Sequence, residues 1–178
     1  MKLLPIAAAM LFAGTAAQAQ VRPTVPKIGD PPEAMNMKLV GYSDLQARSA
    51  YQPTIQKQGN RYIAYIGHHG GTPKIPQPMN PMTGKAENNG TSNLDVTDAA
   101  HPKYLTHIPG EPGLFEDGGA QMVRVCEATN FAAKAPGTFY MLRPFGNSAH
   151  EVWNVTDPAK PVLLTRLEGI KGRSEEHT

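Results

Sequence analysis

Cysteine is scarce in this sequence, since Cys126 is the only one in 178 residues. A single cysteine cannot form an internal disulfide, so the folded state must be held together by packing. Cys126 also has no basic residue or histidine beside it in the sequence. We therefore predict that it is a small packed residue and not a nucleophile.

An excess of charge of one sign is lacking too. The 17 basic and 15 acidic residues are scattered along the chain, so there is no basic stripe of the kind that nucleic-acid binding requires. The glycine pairs Gly70-Gly71 and Gly118-Gly119 do not stand between a strand and a helix, as a phosphate-binding loop would. The Gly-x-Ser-x-Gly motif of hydrolases is absent as well. Because the charges are scattered, nucleic acid is not an expected partner.

Long hydrophobic runs are confined to the N-terminus. Lys2, the mainly apolar stretch 3–12 and Ala17-Gln18-Ala19 match, in order, the three regions of a secretory signal peptide. The stretch is too short for a permanent membrane helix. We expect residues 1–19 to be removed, leaving an exported chain (periplasmic, cell-surface or secreted) with no membrane span. Residues 20–36 are rich in proline and are predicted to be a flexible leader.

Turn-forming residues are abundant instead. The 17 glycines and 17 prolines predict many turns between short elements, which suits an all-β chain. Runs of β-branched and aromatic residues bounded by turn residues predict the strands. The strands predicted in this way are 37–42, 61–67, 120–126, 138–142, 151–155 and 162–167. Residues 68–71 are predicted to be a turn, and residues 72–92 a long functional loop.

One strand–turn–strand module occurs twice. Residues 151–167 match residues 93–108 without a gap, at a displacement of roughly 59 positions. The identical pairs are Val96/Val155, Thr97/Thr156, Asp98/Asp157, Pro102/Pro161, Leu105/Leu164, Thr106/Thr165 and Gly110/Gly169. Four-stranded antiparallel units repeated in sequence are typical of β-propeller blades. A β-sandwich also has many short strands, but it has no reason to reuse Val-Thr-Asp-x-x-x-Pro at a fixed interval.

The polar residues of this module are assigned to its turns. Aspartate side chains accept hydrogen bonds from backbone N–H groups one or two residues further on, which closes a turn. The residues given this structural role are Asp98, Pro102, Asp157, Pro158 and Pro161.

Residues 152–164 resemble the LVIVD repeat, in which a β-prone run is followed by an Asp-x-Ser/Thr-Asp-Pro turn and then Pro-x-x-Leu/Val. Residues 94–105 resemble it too, with Ala99 in place of the turn proline. The resemblance implies an exported or surface β-propeller, mostly of unknown role. A closed propeller needs about four to eight blades, so we expect residues 37–178 to be an incomplete set of blades that is too short to close alone. On this expectation the chain is the N-terminal portion of a longer propeller.

Histidines are the candidates for chemistry. Four of them, His68, His69, His150 and His177, would bind a transition metal (Cu, Zn or Fe) if they met in a propeller channel. Their spacing matches no recognised ligand motif, and adjacent residues of a strand point to opposite faces. A metal-dependent enzyme is therefore the alternative interpretation. The favoured one is a non-catalytic scaffold, with no cofactor expected, which binds a protein or surface ligand of unknown identity through the loop 72–92.

Overall fold

The structure is a computed structural model that describes residues 35–74, 77–129 and 135–169. The predicted signal peptide 1–19, the predicted leader up to residue 34 and His177 lie outside these residues. Within the described part of the chain, no helix is long and apolar enough to cross a membrane.

The fold is all-β and its strands pair antiparallel, as predicted. The strands in chain order are β1 (Tyr51–Gln58), β2 (Arg61–His69), β3 (Met79–Asn80), β4 (Lys85–Ala86), β5 (Gly90–Asp95), β6 (Lys103–Pro109), β7 (Gly119–Ala120), β8 (Arg124–Ala128), β9 (Ala135–Phe145), β10 (Ala149–Asn154) and β11 (Val162–Glu168). Short 3-10 turns occupy Leu45–Ala47 and Phe115–Asp117. β3 and β4 form a small separate hairpin.

The first sheet has the strand order β1-β2-β5-β6, and β7 pairs with the end of β2. The middle of β2 is apolar on both faces because both faces are covered. Ile63 and Tyr65 point to one side and Ala64 and Ile66 to the other, as the period of two in a strand requires. Leu45 packs against the second side.

The second sheet has the order β8-β9-β10-β11. Along β9, Phe139, Met141 and Arg143 are buried, whereas Leu142 between them is 44% exposed. This alternation is expected of a strand that is covered on one face only. β11 is exposed along its whole length.

The two sheets pack together through one hydrophobic cluster. Its buried members are Ile63, Tyr65 and Ile108 from the first sheet, and Phe139 and Met141 of β9 with Val123 and Val155 from the chain beside the second. Burying one such side chain contributes about 1.5–3 kcal/mol. The apolar cluster is therefore the main source of cohesion between the sheets.

A buried ion pair reinforces this interface. Arg143 Nε donates to Glu151 Oε2 at 2.9 Å, and both side chains are only 1% exposed. Arg143 also crosses to the first sheet, where its guanidinium donates to Thr91 Oγ1 (3.2 Å) and to the carbonyls of Ile108 (2.9 Å) and Pro109 (2.8 Å). The arginine therefore joins the two sheets through its hydrogen bonds to the first sheet, while its charge is paired with Glu151 inside the second.

Glu151 is fully supplied with donors. Arg166 Nε binds Glu151 Oε1 at 3.0 Å, and Trp153 Nε1 binds Oε2 at 2.9 Å. Burial acts to raise the pKa of Glu151, but the charge of Arg143 and the hydrogen bonds from Arg166 and Trp153 outweigh it, and the pKa is lowered. The carboxylate is therefore held ionised inside the structure.

The strand predicted at 37–42 is not formed. No described strand pairs with this segment, although its backbone is free of helix and turn. Met37, Leu39, Val40 and Tyr42 are all more than 60% exposed. Apolar sequence alone does not make a strand, because a strand also needs an edge with which to exchange backbone hydrogen bonds.

The turn predicted at 68–71 begins too early. His68 and His69 belong to β2, which continues through them because Ala120 and Gly119 of β7 pair opposite. The predicted loop 72–92 also contains the hairpin of β3 and β4 and the start of β5.

We predict that Arg143→Met lowers the free energy of unfolding by about 3–5 kcal/mol, because it leaves Glu151 buried without its main counter-charge. Arg61→Met is the matched control. The Arg61–Asp95 pair is 3.9 Å apart with Arg61 46% exposed, so its removal should cost at most about 1 kcal/mol. Urea denaturation measures both variants, and equal losses would contradict the central role of Arg143.

Candidate functional site

The predicted turn residues close the two turns with the same hydrogen bonds. Asp98 Oδ1 accepts from the Ala100 N–H, and Asp157 Oδ1 accepts from the Ala159 N–H, each at 3.0 Å. Two further bonds recur at each turn. At the first turn they are Tyr62 N–H to Thr97 Oγ1 (3.0 Å) and Val96 N–H to Tyr62 O (2.9 Å). At the second they are Phe139 N–H to Thr156 Oγ1 (3.0 Å) and Val155 N–H to Phe139 O (2.9 Å). Each turn is thus tied to the strand beside it through the threonine of its Val-Thr-Asp sequence.

The prolines of the two modules have different surroundings. Pro102 and Pro161 each stand just before the strand that follows the turn, β6 and β11 respectively. Pro158 is fully buried, and its carbonyl accepts from Asn93 Nδ2 of the first sheet at 2.9 Å. The second turn therefore helps to hold the sheets together.

His68 is fully buried and both of its ring nitrogens are engaged. Nδ1 bonds to the carbonyl of Ser49, which can only accept, so Nδ1 carries the hydrogen and Nε2 accepts from Ser92 Oγ at 2.8 Å. Burial lowers the pKa of His68 to about 3, although the bond to the Ser49 carbonyl acts to raise it. Its arrangement fits a neutral structural histidine.

His69 lies on the opposite face from His68, as the strand period predicts. Its Nδ1 is 3.0 Å from Glu116 Oε1, and its ring meets that of Tyr51 edge-on at 4.6 Å. This face looks into a pocket, and His69 is the one predicted histidine that lines it.

His150 lies in β10 of the second sheet, opposite Pro144 and Leu167. It therefore belongs to a different sheet from His68 and His69. In residues 35–74, 77–129 and 135–169, no three His, Cys, Asp or Glu side chains form a group that could hold a metal ion.

A buried polar cluster covers the outer face of the first sheet, and no motif in the sequence indicates it. Arg48 donates to the carbonyls of Pro78 and Glu87 (both 3.1 Å) and to Asn89 Oδ1 (2.9 Å). Glu87 Oε2 accepts from His107 Nδ1 at 2.8 Å. The cluster fastens the 77–89 loop to the sheet, so this loop has a defined position despite its proline- and glycine-rich sequence.

Protonation of His107 would disturb this cluster. Burial lowers its pKa to about 4, while the hydrogen bond to Glu87 and its charge act in the opposite direction. Its second ring nitrogen, Nε2, is buried and has no hydrogen-bond partner among the described residues. A proton added there would place a second charge near Arg48.

The pocket occupies about 750 Å³ where β2 ends, a size typical of small-molecule sites. The residues that line it are Ala47, Arg48, Ser49, His69, Gly70, Gly71, Thr72, Gln77, Pro78, Asn88, Asn89, Pro112, Gly113, Leu114, Phe115 and Glu116. The predicted binding loop 72–92 therefore supplies part of the wall. The segment 112–116 supplies another part, which no motif in the sequence indicates.

Phe115 is held in an unusual conformation at this pocket. Its φ is +50° and its side chain is 57% exposed. The Phe115 N–H donates to Gly71 O (3.0 Å), and its carbonyl accepts from the Gly70 N–H (2.7 Å). A bulky residue at positive φ is a strained outlier, and such outliers persist only where the surroundings fix them.

Comparisons with protein-family models, with curated proteins and with solved structures found no match to this chain.

We predict that the protein loses stability as the pH falls from about 6.5 to 4. His68 and His107 have lowered pKa values in the fold, about 3 and about 4. The unfolded chain therefore binds more protons than the folded chain between these pH values. The free energy of unfolding rises with pH across this window. Each histidine contributes a slope of up to about 1.4 kcal/mol per pH unit.

Urea denaturation at a series of pH values measures this slope. His107→Gln removes one titrating group and should reduce the slope between pH 6 and 4. The account of His107 would be wrong if the slope of that variant matched that of the parent protein.

Proposed function

We propose that the two sheets are successive blades of a β-propeller of the LVIVD-repeat type, and that the protein is an exported, non-catalytic binding scaffold. The observation that carries this proposal is the matching of the two modules. Each sheet contains four strands in meander order, to which the first sheet adds β7 at the end of β2, and both turns use the same threonine and aspartate hydrogen bonds. Unrelated sheets would have no cause to share these details.

The strand registers also match positions of the first sheet with positions of the second. The first turn binds Tyr62 in the way that the second binds Phe139, so Tyr65 corresponds to Leu142 along the strands. A bulge interrupts the outer ladder at the same place in each sheet, between Asn93 and Leu94 and between Val152 and Trp153.

The outward side of the second sheet gives independent support. Tyr65 and Ile108 are buried against the second sheet, at 0% and 5% exposure. The residues at the matching positions, Leu142 and Leu167, are 44% and 43% exposed on the side that faces away from the first sheet. This open face therefore repeats the apolar pattern that the first sheet uses for packing. Such a pattern is expected of a blade that packs against a further blade.

A binding role, in preference to catalysis, is supported by the state of the histidines. His68 is neutral with both nitrogens engaged, and the His69 ring lies against Glu116, 3.0 Å away, beside the pocket. The pocket lies on loops at the end of a rigid sheet, where binding residues are commonly placed. We propose this pocket as the ligand site.

The open face provides the test of the propeller. In the protein at its natural length, Leu142→Lys combined with Leu167→Lys should lower the free energy of unfolding by at least about 2 kcal/mol, because two charges would be forced into a sheet interface. Met82→Lys, at an equally apolar but exposed hairpin position (66%), should change it by no more than about 0.5 kcal/mol. A double variant as stable as the control would refute the blade assignment.

Metal analysis separates the scaffold from the alternative, a metal-dependent enzyme that uses His68, His69, His150 and His177. We expect the purified protein at natural length to hold Cu, Zn and Fe only in substoichiometric amounts. Stoichiometric metal that is lost in His150→Ala, and retained in a variant of the exposed His101, would favour the enzyme.

A further inference from the structure

The pocket has a chemistry specific enough to indicate a class of ligand. The inference rests on the proposed function, since it names what the proposed ligand site takes. Three features of the wall carry it: a fixed aromatic surface, a set of uncharged hydrogen-bonding groups, and charges that are already engaged.

Phe115 provides the aromatic surface. The phenyl ring is more than half exposed, and the backbone that carries it is fixed by the bonds to Gly70 and Gly71. Addition of a Cβ at Gly70 would bring it within 2.7 Å of the Gly113 carbonyl and 2.9 Å of the Phe115 carbonyl, so the close approach depends on glycine. A ring displayed in this way loses the benefit of burial unless a ligand covers it.

The polar part of the wall is dominated by amides and hydroxyls. Gln77 donates to Asn88 Oδ1, and Ser49 Oγ accepts from the His69 N–H at 3.1 Å. An amide side chain offers two donors and a carbonyl acceptor, and a hydroxyl offers one donor and two lone pairs. These groups therefore match a ligand that itself carries several hydroxyls, each of them both donor and acceptor.

The charged groups of the pocket argue against an ionic ligand. The terminal nitrogens of Arg48 are committed to the carbonyls of Pro78 and Glu87 and to Asn89 Oδ1, so they do not supply a free anion site. Glu116 at the wall would repel an anion, and it already has His69 at 3.0 Å. A carboxylate in this position is a strong acceptor for a neutral hydroxyl.

We propose that the pocket binds a neutral saccharide unit. The apolar C–H face of the sugar ring stacks on Phe115, and its hydroxyl groups bond to Glu116 and to the amides of Asn88 and Asn89. The pocket volume of about 750 Å³ accommodates a small oligosaccharide. An entirely apolar ligand would leave these polar groups desolvated and unpaired, which is costly.

Saturation-transfer NMR and calorimetry on the whole chain test this proposal, with neutral disaccharides (maltose, cellobiose, lactose and chitobiose) as probes. We expect at least one of them to bind. Phe115→Ala should weaken that binding at least about tenfold, equivalent to about 1.4 kcal/mol, whereas Phe115→Tyr should retain it within about twofold because the stacking face is kept. Glu116→Gln should also weaken it, and Met82→Ala, outside the pocket, should not. Circular dichroism confirms that each variant is folded.

The same measurements with phenethylamine and phenylacetate as charged probes distinguish the two levels of the proposal. Binding of a charged probe that Phe115→Ala abolishes, together with no saccharide binding, would overturn the saccharide and leave the pocket as a ligand site. If no probe binds in a manner that Phe115 or Glu116 affects, both the saccharide and the pocket's role fall. Saccharide binding that is unchanged in Phe115→Ala would place the sugar elsewhere and overturn the inference.

Discussion

The contact of Arg143 with both sheets is the constraint on which the remaining structure depends. Its guanidinium neutralises Glu151 in its own sheet and satisfies two backbone carbonyls in the other. A buried charge of this kind is tolerated only when nearly every donor is used, so the sheets cannot slide or rotate without leaving Arg143 or Glu151 unpaired. The surrounding apolar cluster supplies cohesion, and the arginine fixes the register at which that cohesion is obtained.

The relative position of the sheets in turn determines the environment of the first one. Its inner side is closed by the apolar cluster, and its outer side is closed by Leu45 and by the polar cluster around Arg48. β2 therefore runs through the structure with both faces covered and reaches the pocket only at its end, at His69. The pocket is thus built at the end of a strand whose middle is buried on both faces, and on the loops that extend from it. A rigid base of this kind is what a preorganised binding site requires.

The sequence predicts those parts of the fold that local rules control. The Val-Thr-Asp turns were found because aspartate and threonine act on backbone groups within two residues, and the strands beside them followed from their β-branched residues. The prediction for the end of β2 is wrong because that end depends on β7, about fifty residues away. The prediction of a strand at 37–42 is wrong because composition does not supply a partner, and none of the described strands pairs with this segment.

Most residues of the polar cluster and the pocket could not be predicted from such local rules. Arg48, Glu87 and His107 are separated by tens of residues, and nothing periodic relates them. Phe115 stands in a segment with no motif, and its exposure results from pairing with Gly70 and Gly71. Arg143 is the one case with a usable signal, because a charge inside the apolar run of β9 demands a partner, and Glu151 follows it across a short hairpin.

The bulges in the β5–β6 and β10–β11 ladders affect the edges of the two sheets. β6 and β11 are the last strands in their sheet orders, and each is interrupted near its middle, at Leu105 and Leu164. An irregular, strongly twisted rim cannot offer a continuous row of amides and carbonyls to a passing chain. Sideways aggregation at these two edges is thereby discouraged, and the exposed apolar face of the second sheet is left as the surface open to packing.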